Sequence, residues 1–233
     1  GDSGLNRMEA LLRWEHPESG IVEAGEFIEV AENSPMILEL GQHALGNVCQ
    51  FLRRWLQSAP NQPIRVSCNV SEMELAQEDL PERLTQTLHY YGVPAECIEL
   101  EVTERATTGS YDKNITRLRS MGVRLVIDDF GRGVSSLSRL SSLPVDAIKI
   151  DRSFIREITR VPAQKAVVKT ILALGRELNL EVIAQGVETP EQSLALRELG
   201  CNLQQGLLFG EALEPMNAVA RSQLKPGNGL SMH

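Results

Sequence analysis

The polar residues of this chain recur at one kind of place, inside or just after short apolar runs. IRVSCNV carries Asn69 near its end, and ELEVTE carries Glu101 and Glu104. VIDDFG carries Asp128 and Asp129, IKID carries Lys149 and Asp151, IAQGVE carries Gln185 and Glu188, and NLQQG carries Gln205. In MEALLRW, Glu9, Leu11 and Arg13 alternate, so one extended strand over Arg7–Arg13 turns all three to the same face. Carboxylates with an asparagine oxygen form a hard oxygen donor set, which suits Mg²⁺ or Mn²⁺ better than zinc or copper. None of His16, His43, His89 and His233 falls within these runs. The adjacent Asp128 and Asp129 can serve two cations, one carboxylate bridging and the other binding the second ion only. Two such ions, ~3.5–4 Å apart, would bind phosphoryl oxygens and acidify a water for in-line attack. Lys149 could orient that water or neutralise developing charge, and Arg13 could hold a phosphate away from the ions.

Each residue also has a plainer reading. A strand-end Asp or Asn commonly caps the next helix. Lys149 and Asp151 can form a structural ion pair, Arg13 a surface pair, and Gln205 a loop amide. Gly131 and Gly133 can serve turn geometry alone. Capping does not explain carboxylates placed inside apolar strands, such as Glu9 and Glu101. A buried carboxylate needs a cation or a donor.

The elements that must position these residues follow from two alternating hydrophobic periods. Strand-like runs cover Arg7–Arg13, Ile64–Val70, Ile98–Thr103, Val123–Asp128, Ala147–Asp151, Leu180–Gln185 and Asn202–Gln205. Helix-period segments cover Pro35–Ala59, Leu80–Tyr91, Tyr111–Ser120, Ala163–Leu178 and Pro190–Glu198. Thr189 is placed to cap the last of these, with Pro190 in its first turn and Gly200 beyond its end. Strands alternating with helices predict an α/β fold with a parallel sheet, either doubly wound or closed as a barrel. Seven strands are one short of the usual eight, which predicts an eight-stranded barrel whose first strand lies upstream. The polar strand ends would then line the C-terminal mouth, where barrel active sites lie. One domain is expected over 1–221, followed by a frayed tail at 222–233.

The balance of 42% hydrophobic and 23% charged residues is that of an ordinary globular core. A net charge of −8 argues against duplex nucleic acid or an anionic membrane as partner. An acidic protein can still take a small phosphate ligand if bound cations invert the local field. No apolar run reaches the ~18–20 residues of a membrane span, and the N-terminus has no secretion signal. The four scattered cysteines, Cys49, Cys68, Cys97 and Cys201, read as reduced core residues of a cytoplasmic protein. The opening GDSGLNR lacks a methionine and runs at once into a strand, as expected of a piece of a longer chain.

Taken in order, these runs resemble the EAL domains, which bind and hydrolyse the bacterial second messenger cyclic di-GMP. The resemblance extends from Glu9-Ala10-Leu11 to Gln205-Gly206 through EFIEVAE, NVS, ELEVTE, DDFGRGVSSL, IKIDRSF and QGVET. It implies a modified TIM-like (βα)8 barrel with an antiparallel first strand, whose YQP-type motif this sequence lacks. It also implies that Glu9, Asn69, Glu101 and Asp128 hold one cation, with Asp128 bridging to a second shared with Asp129. Lys149 would stand beside the attacking water, and Glu104 would brace the loop 129–137. Leu11, Arg13, Glu188 and Gln205 would contact the ligand. The product would be linear pGpG, and the family's habit of pairing after the DDFG motif implies a homodimer within a multidomain signalling protein.

Gln185 departs from the family's AEGVE pattern. Glutamine keeps an oxygen acceptor but loses charge and basicity. The second cation should bind more weakly, and if this position acts as general base, ~10²–10⁴-fold in rate is at stake. A receptor that binds the messenger without turnover is therefore the rival reading. An unrelated metal-dependent barrel enzyme of the enolase-like kind explains the acids but not the ordered motifs. DFGRGV also replaces the usual DFGTGY, and Arg132 could fold back on phosphate or face a second subunit.

Overall fold

The apolar runs around Ile64, Ile98 and Ala147 are short and rich in branched side chains, and all three form strands. The computed structural model describes residues 6–104, 111–132 and 137–223. Its elements begin with β1 (Asn6–Glu9), β2 (Arg13–His16), β3 (Gly20–Glu23), α1 (Ala24–Glu32) and α2 (Met36–Ser58). β4 (Ile64–Asn69), α3 (Glu72–Leu75), α4 (Leu80–Tyr91), β5 (Ile98–Thr103) and α5 (Asp112–Ser120) follow. Next come β6 (Arg124–Phe130), α6 (Leu137–Ser142), β7 (Ala147–Ile150), α7 (Arg152–Arg156) and α8 (Pro162–Glu177). The last are β8 (Glu181–Ala184), α9 (Pro190–Glu198), β9 (Leu203–Gln204) and α10 (Pro215–Gln223). The chain divides into two compact units, one holding β1 to most of β5 with α5 and α10, the other most of β6 through β9.

In the first unit β1, β4 and β5 lie side by side and parallel. The long α2 buries Val48, Cys49, Leu52 and Trp55, positions three to four apart that form one face of a helix. The Trp55 indole donates to the Gln62 carbonyl at 3.1 Å, which satisfies the polar end of a buried ring. The amide of buried Asn114 in α5 donates to the carbonyls of Leu75 and Gln77, both at 2.8 Å.

The expected strand over Arg7–Arg13 is corrected here. β1 ends at Glu9, and its ladder closes with the Ala10 N–H on the Ser67 carbonyl at 2.8 Å. Arg13–His16 instead folds antiparallel onto Gly20–Glu23. The His16 ring nitrogen Nδ1 accepts the N–H groups of Glu18 and Ser19 at 3.2 and 3.1 Å, fixing the turn between them. Glu9, Leu11 and Arg13 therefore do not share one strand face.

In the second unit β6, β7, β8 and β9 are parallel neighbours. Every residue of β7 is buried, as a strand covered on both faces requires. Val126, Ala147 and Ile183 pack together with Leu203 against them. α9 begins as the sequence predicts, with Pro190 in its first turn and Thr189 and Gln192 bonding reciprocally. The four cysteines are buried and unpaired. α10 runs to Gln223, two residues into the expected tail, and the rest of that tail lies outside the described residues. Among the described residues no helix is long and apolar enough to cross a membrane.

Candidate functional site

Regular pairing brings three of the expected ligands to one face in the first unit. Glu9 is in register with Ser67, and Asn69 with Glu101. Ser67 and Asn69 are two apart on β4, and a strand turns alternate residues to the same side. Glu9, Asn69 and Glu101 therefore project together from three adjacent strands. Glu101 is 1% exposed, whereas Asn69 is open to solvent. Burial, and next the charge of Glu101, push the neighbouring Cys68 thiol far above its ordinary range, so that thiol stays protonated.

The chain beyond Asn69 is held by a capping box. The Glu74 carboxylate accepts the Ser71 N–H at 2.9 Å and the Ser71 hydroxyl at 2.7 Å, and Ser71 Oγ accepts the Glu74 N–H at 3.2 Å. Burial raises the Glu74 carboxyl, and the bonds from Ser71 counter part of that rise. A methyl group at Gly41 would collide with the Glu74 carboxylate, so α2 carries glycine where this carboxylate crosses it. The pattern Ser71-x-x-Glu74 is visible in the sequence as a capping signal, although its link to Asn69 appears only in the fold.

Irregular pairing does the corresponding work in the second unit. Ile127 pairs with Ile148 and Phe130 with Ile150, with a register shift between. β6 thus places two residues, Asp128 and Asp129, opposite the single residue Lys149, which is a β-bulge. Asp129 takes the left-handed conformation at φ 52°, one that aspartate tolerates better than most residues. Lys149 is 2% exposed. It is in register with Ile183, which is in register with Leu203. Two residues further on stand Gln185 and Gln205. Their N–H groups continue the ladder to Ile150 O at 3.3 Å and Ala184 O at 2.8 Å, which puts both amides on the Lys149 side.

The turn after the bulge closes on Glu104, whose carboxylate accepts the Gly131 N–H at 3.1 Å. Gly131 has φ 104°, and a side chain there would press on the Phe154 ring at 2.8 Å, so glycine is required twice over. Gly133, the other glycine of this run, lies outside the described residues.

Burial, the Asp128 charge and a hydrogen bond with Asp151 raise the Asp129 carboxyl to about 6. Burial acts upward on Asp151 too, but bonds from Ser153 and Asp129 and the Arg132 charge outweigh it and hold its carboxyl low. Of the two, Asp129 is therefore the carboxyl that takes up a proton first as pH falls, and Asp151 the one that stays anionic. Arg132 Nη1 lies 3.8 Å from Asp151 Oδ2 and 4.0 Å from Asp129 Oδ2. The sequence is compatible with Arg132 facing phosphate or a second subunit, and the fold turns it toward these two aspartates.

The expected ligand-contacting residues are less alike. Leu11 is exposed, Glu188 is exposed, and Gln205 is half-buried. Arg13 forms an exposed ion pair with Glu23 at 3.2 Å. Among the described residues no three His, Cys, Asp or Glu side chains are gathered closely enough to hold one ion. The donors themselves, carboxylates and amide oxygens with no thiolate or imidazole among them, fit a hard divalent cation.

A family model described as "EAL domain" matches residues 2–212. A cyclic di-GMP phosphodiesterase of Pseudomonas aeruginosa, NbdA, is 41% identical over 94% of this chain and 28% of its own length. The bifunctional diguanylate cyclase/cyclic di-GMP phosphodiesterase MucR of the same organism is 38% identical over 91% of this chain and 31% of its own. The chain therefore spans less than a third of these curated relatives. A solved structure described as the PaMucR phosphodiesterase in complex with c-di-GMP superposes with a TM-score of 0.85 at 38% identity, covering 90% of this chain and 86% of that one. The α/β fold expected from the sequence, of the TIM-like class, is the fold of these structures.

Proposed function

Because this chain belongs to the EAL domain family, we propose that it binds cyclic di-GMP and opens one phosphodiester to give linear pGpG, with turnover weakened at Gln185. Mg²⁺ or Mn²⁺ ions, two in all, held by Glu9, Asn69 and Glu101 in the first unit and by Asp128 and Asp129 in the second, would neutralise phosphoryl oxygens and acidify a water. The observation that carries the reading is the bulge that sets Asp128 and Asp129 opposite Lys149. The buried Lys149 ammonium orients the attacking water and offsets charge on the phosphorane-like transition state. Glu104 keeps the Gly131 turn, and with it the bulge, in place. Leu11, Arg13, Glu188 and Gln205 contact the ligand, Arg13 by exchanging its exposed Glu23 partner for a phosphate. In the cell the domain works in the cytoplasm as a homodimer within a multidomain signalling protein.

A receptor that binds without turnover is the second reading, and Gln185 favours it. The Gln185 side-chain oxygen is buried and has no hydrogen-bond partner among the described residues. A neutral amide there can accept a hydrogen bond but cannot take a proton at neutral pH. The test is pGpG formation from cyclic di-GMP with Mg²⁺ or Mn²⁺, this chain against Gln185→Glu. Turnover by both at similar rates supports a working phosphodiesterase and removes the argument from basicity. Turnover by the glutamate variant alone, with binding by both, makes this chain a receptor.

A further inference from the structure

The Asp129–Asp151 pair already has a cation beside it. Asp151 Oδ2 is buried and without a hydrogen-bond partner among the described residues, and the charge it faces is Arg132 at 3.8 Å. The same guanidinium nitrogen stands 4.0 Å from Asp129 Oδ2, so it sits across the pair rather than on one member. The backbone aims it there. Arg132 follows Gly131 at φ 104°, the Gly131 N–H is tied to Glu104, and the Arg132 N–H turns back to the Asp129 carbonyl at 3.5 Å.

We propose that Arg132 is a resident cation on the Asp129 side of the site, so that this chain takes up one divalent ion and binds a second only weakly. The inference rests on the metal-dependent reading above and deepens it. Gln185 carries no charge on this side of the sheet, so fewer anions are present to hold a second dication. A guanidinium at ion-pair distance from both aspartates repels that dication and offsets part of the charge that would hold it. Arg132 and Gln185 thus act in the same direction. Because the Arg132 side chain is 64% exposed, the repulsion is screened and the second ion is weakened rather than excluded.

The test is Mn²⁺ binding to the metal-stripped chain, read as free Mn²⁺ by electron paramagnetic resonance and as stoichiometry by calorimetry. Arg132→Gln should tighten the second ion by about tenfold and leave the first within about twofold. Arg160→Gln, which removes an equal charge from an exposed position in the same unit, should change neither. A second-ion affinity in Arg132→Gln within twofold of the parent overturns the proposal, as does an equal gain in Arg160→Gln. If neither the parent nor any variant binds Mn²⁺, the metal-dependent reading itself falls and this proposal falls with it.

Discussion

In the first unit Glu9, Asn69 and Glu101 reach one face because three strands keep a regular register. In the second, Asp128 and Asp129 reach Lys149 because a strand breaks its register. The regular set demands only that an alternation of side chains be maintained, and its main cost is the burial of the Glu101 carboxylate. The irregular set also demands a left-handed aspartate and a gap in the ladder, the kind of local strain that persists where surrounding contacts over-determine it. The Gly131 turn, the Phe154 ring beneath it and the Glu104 carboxylate are those contacts.

The largest expected effect tests whether each of the two sets holds metal. Glu101→Gln and Asp128→Asn should each weaken Mn²⁺ binding by about 10–100-fold, measured by calorimetry. An unchanged affinity in either variant would remove that set of residues from metal binding. Next in size, Gly41→Ala should destabilise the chain by about 1–3 kcal/mol in urea unfolding, since the added methyl collides with the carboxylate of the Ser71–Glu74 box. Asp129→Gly should act in the opposite sense, raising stability by about 1 kcal/mol as the left-handed strain is relieved. Asn69→Ala, on the regular side, should leave stability unchanged within about 0.5 kcal/mol. A loss of stability in Asp129→Gly would show that the bulge is held by the aspartate rather than in spite of it.

The smallest effect concerns pH. Burial raises the Glu74 carboxyl in the folded state, so its favourable contribution is present below the unfolded value and is lost as pH rises through the folded one. Glu74→Gln keeps an acceptor for Ser71 and removes that loss. The stability of the variant relative to the parent should therefore increase from pH 4 to pH 7, as read from urea midpoints. A difference that stays constant with pH would show that Glu74 does not titrate differently on folding.

What the sequence disclosed follows the same division. α4 and α9 match the expected helices to the residue, because their ends are set by local chemistry: Pro190 with Thr189 at one start, and Gly92 after Tyr91 at one stop. β5 and the first four residues of the expected Ala147–Asp151 were legible because their branched apolar residues, Ile98, Leu100 and Val102 in one and Ile148 and Ile150 in the other, recur at the strand period. The face shared by Asn69 and Glu101 followed from strand ends alone, but the path of Leu11 and Arg13 did not. Alternation in MEALLRW suits a long strand equally well, and only the His16 turn, a contact between a ring and two backbone groups, decides against it. α1 escaped notice because its apolar residues, Phe27, Ile28, Val30 and Ala31, were legible as a motif rather than as a helix face. The bulge was out of reach, since nothing in VIDDFG marks one residue as surplus to the pairing.

That surplus residue changes the phase of β6. Before it, the strand keeps step with β7, and after it Phe130 meets Ile150 one residue late. Removing either aspartate would bring the strand back into step and draw Phe130 and Gly131 toward Lys149, pulling the Gly131 N–H off the Glu104 carboxylate. Single-residue deletions in this segment should therefore be read as a frameshift in space. They erase a charge and unhook a turn in the same event.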